Sequence, residues 1–376
     1  MDYHKEFPQD PGICYLNHAA VAPWPIRAQQ RVNQFAEENV RRGAQHYPEW
    51  ESVEHELRVK LCRLINAQST DDIALVKNTS EALSMVAHGL DWQPGDNVVI
   101  PAGEFPSNRI VWQSLERYDV EVRQVDIEAC EDPENALFEL FDAKTRLLSV
   151  SSVRYDTGFA LDLPRLGQFC HENDVLFCVD AIQSLGVLDM DVQAIHADFV
   201  MADGHKWLLG PEGLAVFYTR SESRDRLKLH EFGWRMVQNP YDFAAQDWEI
   251  AQSARRFECG SPNMLSIQAL DASLSIFSEL GMDAITRNIF KNTSYLIDYI
   301  VINKGIKVVT PVLEERHAGI VTFRLQNHDP GDVYPELMKQ GVICALRGGG
   351  IRFSPHFYTP RQVLDNALGI LEDILK

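Results

Sequence analysis

The stretch Phe199-Val200-Met201-Ala202-Asp203-Gly204-His205-Lys206-Trp207-Leu208-Leu209-Gly210-Pro211 decides how this chain is read. Its first four residues are apolar and have the character of a buried strand. Asp203-Gly204 is a turn signal. A single lysine follows, flanked by Trp207, before a Gly-Pro stop. An ammonium held at the end of a buried strand loses water, and desolvation lowers its pKa and yields a nucleophilic amine. The chain has 35 lysines and arginines. A surface position is therefore the default for any one of them, and the case for Lys206 rests on the rest of the sequence.

Working outward, the same pattern repeats. Val175 to Val179 is an apolar strand ending at Asp180, and Leu214 to Tyr218 is another on the far side of Lys206. Upstream, Ile73 to Val76, Val98 to Ile100, Val120 to Val125 and Leu147 to Val153 read as strands. Between them lie helical segments such as Asn108 to Tyr118 and Pro164 to Asn173, the latter with proline in its first turn. Strands that are apolar throughout, alternating with helices, indicate an α/β fold with a mostly parallel sheet covered on both faces. Ile26 to Arg42 and Glu49 to Ile65 precede this core as helices. After about Gly260 the pattern changes to long helices, Ile267 to Leu280 and Ala284 to Val301. The strands Lys307 to Val309, Ile320 to Leu325, Val342 to Leu346 and Ile351 to Phe353 follow, with the helices Asp332 to Lys339 and Arg361 to Leu375. The expected division is an arm over 1–14, a large domain over 15–265 and a smaller C-terminal α+β domain over 266–376.

Composition narrows the function. A net charge of −19, with Lys and Arg never clustered beyond pairs, argues against a nucleic-acid surface. The seven cysteines form no Cys-x-x-Cys pair, which suits reduced thiols in the cytoplasm. Met1 to Pro11 is polar and lacks the apolar core of a secretory signal. No apolar run approaches the roughly 20 residues of a membrane span. The twelve histidines show no His-Glu-x-x-His spacing, and no metal is expected.

In an open parallel sheet, ligands bind beyond the carboxyl ends of the strands. Three polar positions stand there. Asn78-Thr79-Ser80 sits at a helix start, where hydroxyls and free N–H groups hold an anion or simply cap the helix. Asp180, at the end of a wholly apolar strand, needs a cationic or hydrogen-bonding partner; it also precedes Gln183 at spacing suited to a helix cap. His205-Lys206 is the third. A phosphate site, a buried carboxylate and a desolvated lysine are together what pyridoxal 5′-phosphate requires: the lysine forms the Schiff base and the acid keeps the pyridinium protonated.

Asp180-x-x-Gln183 and Gly204-His205-Lys206-x-x-x-Gly210-Pro211-x-Gly213 resemble the class V aminotransferase family, of pyridoxal-phosphate fold type I. That family includes cysteine desulfurases and isopenicillin N epimerase-like proteins. The resemblance runs over nearly the whole chain. It takes in Tyr15-Leu16-Asn17-His18-Ala19-Ala20, Thr79-Ser80-Glu81, Glu104-Phe105-Pro106-Ser107-Asn108, Phe257-Glu258-Cys259-Gly260-Ser261-Pro262-Asn263 and Gly350-Ile351-Arg352-Phe353-Ser354-Pro355-His356. It implies Lys206 and Asp180 as catalytic residues. Thr79, Ser80 and His205 would hold the phosphate, with Ser261 supplied by a second subunit of a homodimer. Phe105 would stack on the ring and Gln183 would bind its oxygen. Arg352, whose planar guanidinium suits a carboxylate, would grip an α-amino-acid substrate alongside Asn17 and His18.

The departures concern the reaction. Phe105 stands where related desulfurases place a histidine, and it cannot move protons. Between Leu346 and Arg352 there is no cysteine; Cys344 lies in a predicted strand, and Cys259 in the interface loop. Asp203 replaces a phosphate-binding serine and is expected to point away or to bind His205. Tyr155 stands where an asparagine is common. The resemblance without a nucleophilic thiol implies aminotransfer. β-Elimination of the C–S lyase type and epimerisation are the alternatives, and a non-catalytic fold relative is the remaining reading.

Overall fold

The computed structural model describes residues 3–376; Met1 and Asp2 of the expected arm lie outside them. A short pair-forming strand, β1 (Cys14–Tyr15), precedes the central sheet. That sheet has seven strands: β2 (Ile73–Val76), β3 (Asn97–Pro101), β4 (Glu121–Val125), β5 (Thr145–Ser151), β6 (Leu176–Asp180), β7 (Phe199–Asp203) and β8 (Ala215–Thr219). Their spatial order is β2-β8-β7-β6-β5-β3-β4. Strands β3 to β7 are mutually parallel, and β8 runs antiparallel to both its neighbours.

The alternation of side chains explains why these strands read as apolar throughout. Phe177, Val179, Val200 and Ala202 face one core with Leu57, Leu61, Leu166, Ile267 and Leu270 from flanking helices. Cys178, Phe199 and Met201 face the other, against Leu83, Val86 and Trp112. Both faces are covered, as expected. Register then places the site: Ser151 pairs with Asp180, Asp180 with Met201, and Asp203 with Ala215. The carboxyl ends of β5, β6 and β7 thus share one edge of the sheet, and β2 delivers Asn78 to the same edge.

The second sheet is antiparallel, with order β12-β13-β10-β9. It comprises β9 (Ile306–Val308), β10 (Val321–Leu325), β12 (Ala345–Arg347) and β13 (Gly350–Phe353), while β11 (Val342–Ile343) pairs in parallel with β1. The single strand expected over Val342 to Leu346 is therefore two strands in different sheets. The chain turns at the buried Cys344, so that Val342 meets Cys14 while Ala345 meets Arg352. The expected helix Asn108 to Tyr118 is an α-helix over Ser107–Gln113 that tightens to a 3₁₀ turn over Ser114–Tyr118.

The arm is docked on the molecule. Glu6 pairs with Arg27 at 3.0 Å, and Phe7 stacks on Tyr358 with centroids 3.6 Å apart. The helix Met264–Leu280 packs on the helices Ile26–Arg42 and Tyr47–Leu64, and its Ile267, Leu270 and Leu274 join the large core. In the next helix, Met282–Ile302, Ile285 and Ile289 join that core, but Leu296, Ile297 and Ile300 join the small one. We propose that the two domains meet within this helix, between Ile289 and Leu296, about 25 to 30 residues beyond the boundary the pattern suggests. Among the described residues, no helix is long and apolar enough to cross a membrane.

Candidate active site

Lys206 is held by a loop that closes on itself. Gly204 N–H donates to Leu214 O at 2.9 Å, and Gly210 N–H donates to Gly204 O at 2.8 Å. Leu209 closes the turn with φ of 61°, a left-handed conformation uncommon for a branched side chain. Trp207 is wholly buried and donates its indole N–H to Gln183 Oε1 at 2.9 Å. Gly319 makes room for that ring, since a Cβ there would lie 2.4 Å from it. Lys206 directly precedes this anchored ring. Its Nζ lies 5.8 Å from the centroid of Phe105, which is 41% exposed and meets Tyr155 edge-on at 5.2 Å.

Burial lowers the Lys206 pKa to about 8, against the pull of Asp180 and with help from Arg352. Asp180 is 2% exposed, and burial raises its carboxyl to about 6 while the Ile182 N–H, 3.0 Å from Oδ1, and Lys206 draw it down. The two groups sit in one water-poor space and moderate each other's shift. Gln183 gives one amide hydrogen to Ala19 O at 3.0 Å and keeps the second.

At the end of β2 the capping question has an answer. Asn78, not Thr79 or Ser80, is the N-cap of the helix Thr79–Gly89, accepting from Glu81 N–H at 2.9 Å. Both hydroxyls are thereby released from capping. Ser80 Oγ bonds Ser107 Oγ at 2.7 Å, and Thr79 Oγ1 is buried without a partner. His205 Nδ1 is a second buried atom without a hydrogen bond, and burial lowers that imidazole to about 4. Unsatisfied buried polar atoms are costly, and two of them beside a helix N-terminus are what a phosphate would satisfy. The residues present fit the cofactor.

Arg352 lies on β13, 2% exposed, with burial lowering its pKa to about 10. Nη1 donates to Tyr155 O at 2.5 Å and Nη2 to Asn17 Oδ1 at 3.4 Å; Nε has no partner. A buried cation so thinly satisfied suits an anionic ligand. Tyr155 thus contributes its backbone carbonyl to the arginine as well as its ring to Phe105.

His18 is corrected. It is fully buried, and its two ring nitrogens contact Ser354 O at 2.8 Å and Tyr358 Oη at 2.7 Å. Burial lowers it to about 4, so it is a neutral brace that ties the Asn17 segment to β13. Ser261 is exposed on the single chain.

Two groups at the site escaped the sequence. Glu104 is buried beside Phe105, accepts from Ser151 N–H at 2.7 Å and Ser151 Oγ at 2.5 Å, and is raised to about 7 by burial. It fixes the segment carrying Phe105 to the strand beside Asp180. Arg347 pairs with Gly350, and Ala345 with Arg352, so both arginines project from one face of the hairpin. The alternation around Gly348-Gly349 was the signal for Arg347. Glu104 gave none, because only folding brings it to Ser151.

The aminotransferase class-V family profile matches residues 14–357. The chain is similar to a probable cysteine desulfurase of Methanothermobacter thermautotrophicus, 30% identical over 99% of this chain and 97% of the relative. Its fold is that of C-DES, seen in a mutant with glycine covalently linked to the PLP cofactor. That match has a TM-score of 0.92 and 21% identity over 98% of this chain and 99% of the other. The cystine C-S lyase C-DES in complex with its product cysteine persulfide matches with a TM-score of 0.90, at 21% identity over the same shares. The profile spans most of the chain, and the chain belongs to the class-V aminotransferases, pyridoxal-phosphate enzymes of fold type I.

Proposed function

We propose that the protein is a C–S lyase that removes the Cα proton of a sulfur-bearing α-amino acid and expels its β-substituent. The observation that carries the proton-abstraction half of this reading is the buried Lys206, whose pKa is lowered to about 8 by burial and Arg352 against the pull of Asp180. Bound pyridoxal phosphate supplies the covalent attachment and the electron sink. Thr79, Ser80 and His205 would hold its phosphate, Phe105 would cover one face of its ring, and Asp180 would keep a proton on the ring nitrogen. Arg352, oriented by Tyr155 O and Asn17, would bind the substrate carboxylate and so aim the Cα–H bond at Lys206. Lys206 Nζ would take that proton; the electron pair left at Cα would form a Cα–Cβ double bond, and the Cβ–S bonding pair would depart with the sulfur.

Persulfide formation on the enzyme is disfavoured. Cys344, the thiol nearest Arg352 in sequence, lies in the small-domain core, and burial pushes it up to about 12. The relatives' cysteine chemistry favours sulfur as the leaving atom over aminotransfer, and the test separates the two. Amino acids are added singly to the holoenzyme without a keto acid. Cystine or cysteine should yield pyruvate, ammonia and a sulfur product. Conversion of the cofactor to its amine form without pyruvate would establish aminotransfer instead.

The working unit is proposed to be a homodimer in the cytoplasm, with Ser261 completing the phosphate site of the neighbouring subunit. Its exposure and the exposed aromatic segment that precedes it support this reading. The seven free cysteines support a reducing compartment.

A further inference from the structure

Asp203 ends β7, three residues before Lys206, and does not point away from the phosphate site. Its Oδ1 accepts from Thr79 N–H at 2.9 Å, at the N-terminus of an 11-residue helix. The buried atoms Thr79 Oγ1 and His205 Nδ1, both without hydrogen bonds, belong to the residues that carboxylate contacts. Oδ2 lies 3.6 Å from His205 Nδ1, too far for a hydrogen bond, and the imidazole is neutral. The expected pairing of Asp203 with His205 is therefore not an ion pair at neutral pH.

A carboxylate already occupies an N–H that a phosphate would use. Two anions cannot share that end of the helix without a proton between them, because like charges in a water-poor site each oppose the other's ionisation. We propose that Asp203 is a member of the cofactor-phosphate site and binds the phosphate as the carboxylic acid, so that one proton from solvent enters Asp203 when the phosphate arrives. The inference rests on the cofactor reading of this site. In the free protein Asp203 acts as a stand-in anion on Thr79 N–H; in the complex its O–H becomes a donor to a phosphate oxygen.

The surroundings fit this exchange. Burial, then the neighbouring Asp180 charge and Glu212, raise Asp203 to about 7, while Thr79 N–H and Lys206 pull it down. His205 faces it uncharged. The proton is thus half-bound near neutrality before any phosphate is present.

The test uses pyridoxamine 5′-phosphate, which carries the phosphate but no aldehyde for Lys206. Its Kd is measured by titration calorimetry from pH 6.5 to 9 in two buffers of different ionisation heat, for wild type, Asp203→Asn and Asp203→Ser. Wild type should lose affinity by up to about tenfold per pH unit above neutrality, with close to one proton taken up per ligand at pH 8. Lys206 titrates in the same range in all three proteins, so both variants should keep a shallower slope and take up close to one proton fewer per ligand at pH 8 than wild type. Equal slopes and equal proton uptake in wild type and both variants would overturn the role of Asp203 while leaving the cofactor site standing. Failure of all three folded proteins to bind the ligand at any pH would overturn the cofactor reading and the inference together.

Discussion

Lys206 is set apart from the other lysines by its surroundings, and that difference is measurable. Its amine is half-deprotonated near pH 8, against 10.5 for an ordinary lysine. Burial is the largest cause, and the positive charges of Arg352 and Arg347 act in the same direction. Pyridoxal lacks the phosphate, so its reaction reports the lysine without the proton exchange that the phosphate would drive at Asp203. The rate of its borohydride-trapped attachment to the cofactor-free protein should rise with pH and level off just above 8. Arg347→Gln removes one like charge and should move that midpoint upward by a fraction of a pH unit; Lys206→Ala should abolish attachment. A midpoint near 10 in wild type would contradict the desolvated position. The desolvated setting of Lys206 and Asp180 was legible in the sequence because each is polar at or just past the end of an apolar strand. The neutral brace at His18 was not, since its partners Ser354 and Tyr358 are more than 330 residues away.

At the scale of elements, the segment carrying Ser261 is anchored to the phosphate strand by buried charge. Glu258 accepts from Leu75 N–H in β2 at 2.9 Å and from Arg58 at 2.7 Å. Glu54 accepts from Arg58 and Arg235, both at 2.7 Å. Burial opposes ionisation of Glu54 and Arg58, but the opposite charges outweigh it, holding Glu54 below the ordinary carboxylate range and Arg58 above that of guanidinium. Glu258→Gln keeps the shape but leaves two buried arginines to one carboxylate. It should lower stability by about 3 kcal/mol, read as an earlier urea midpoint with unchanged slope. A change under 1 kcal/mol would mean that water already reaches the cluster. The strands of the central sheet were legible because burial on both faces leaves continuous apolar runs. The break at Cys344 was not, because a buried cysteine continues the apolar pattern that the backbone interrupts. The hairpin beyond it hid a further constraint: a Cβ at Gly350 would lie 2.1 Å from Phe323 O, so that glycine is required by close approach to β10.

For the whole molecule, the exposed aromatics are unevenly placed. Phe232, Tyr241, Phe243 and Trp248 are 62%, 55%, 78% and 59% exposed within one segment of the chain. Trp234 packs against Tyr241 and Phe243 with centroids about 6 Å apart, so these rings form one patch. Contiguous apolar surface of this kind on an acidic, otherwise polar chain marks a protein-facing surface. The segment leads through Arg255 and Glu258 directly to Ser261, so the proposed homodimer would place this patch and the neighbouring phosphate site on one interface. Phe243→Ser combined with Trp248→Ser should shift the protein from dimer to monomer in light scattering. The dissociated variant should also bind pyridoxal phosphate at least tenfold more weakly, because each phosphate site would lose the neighbouring Ser261. Ser261→Ala supplies the control: it should weaken cofactor binding with the dimer intact. A monomeric double variant that holds the cofactor as tightly as wild type would separate the patch from the site and return Ser261 to the solvent-exposed loop in which the single chain shows it.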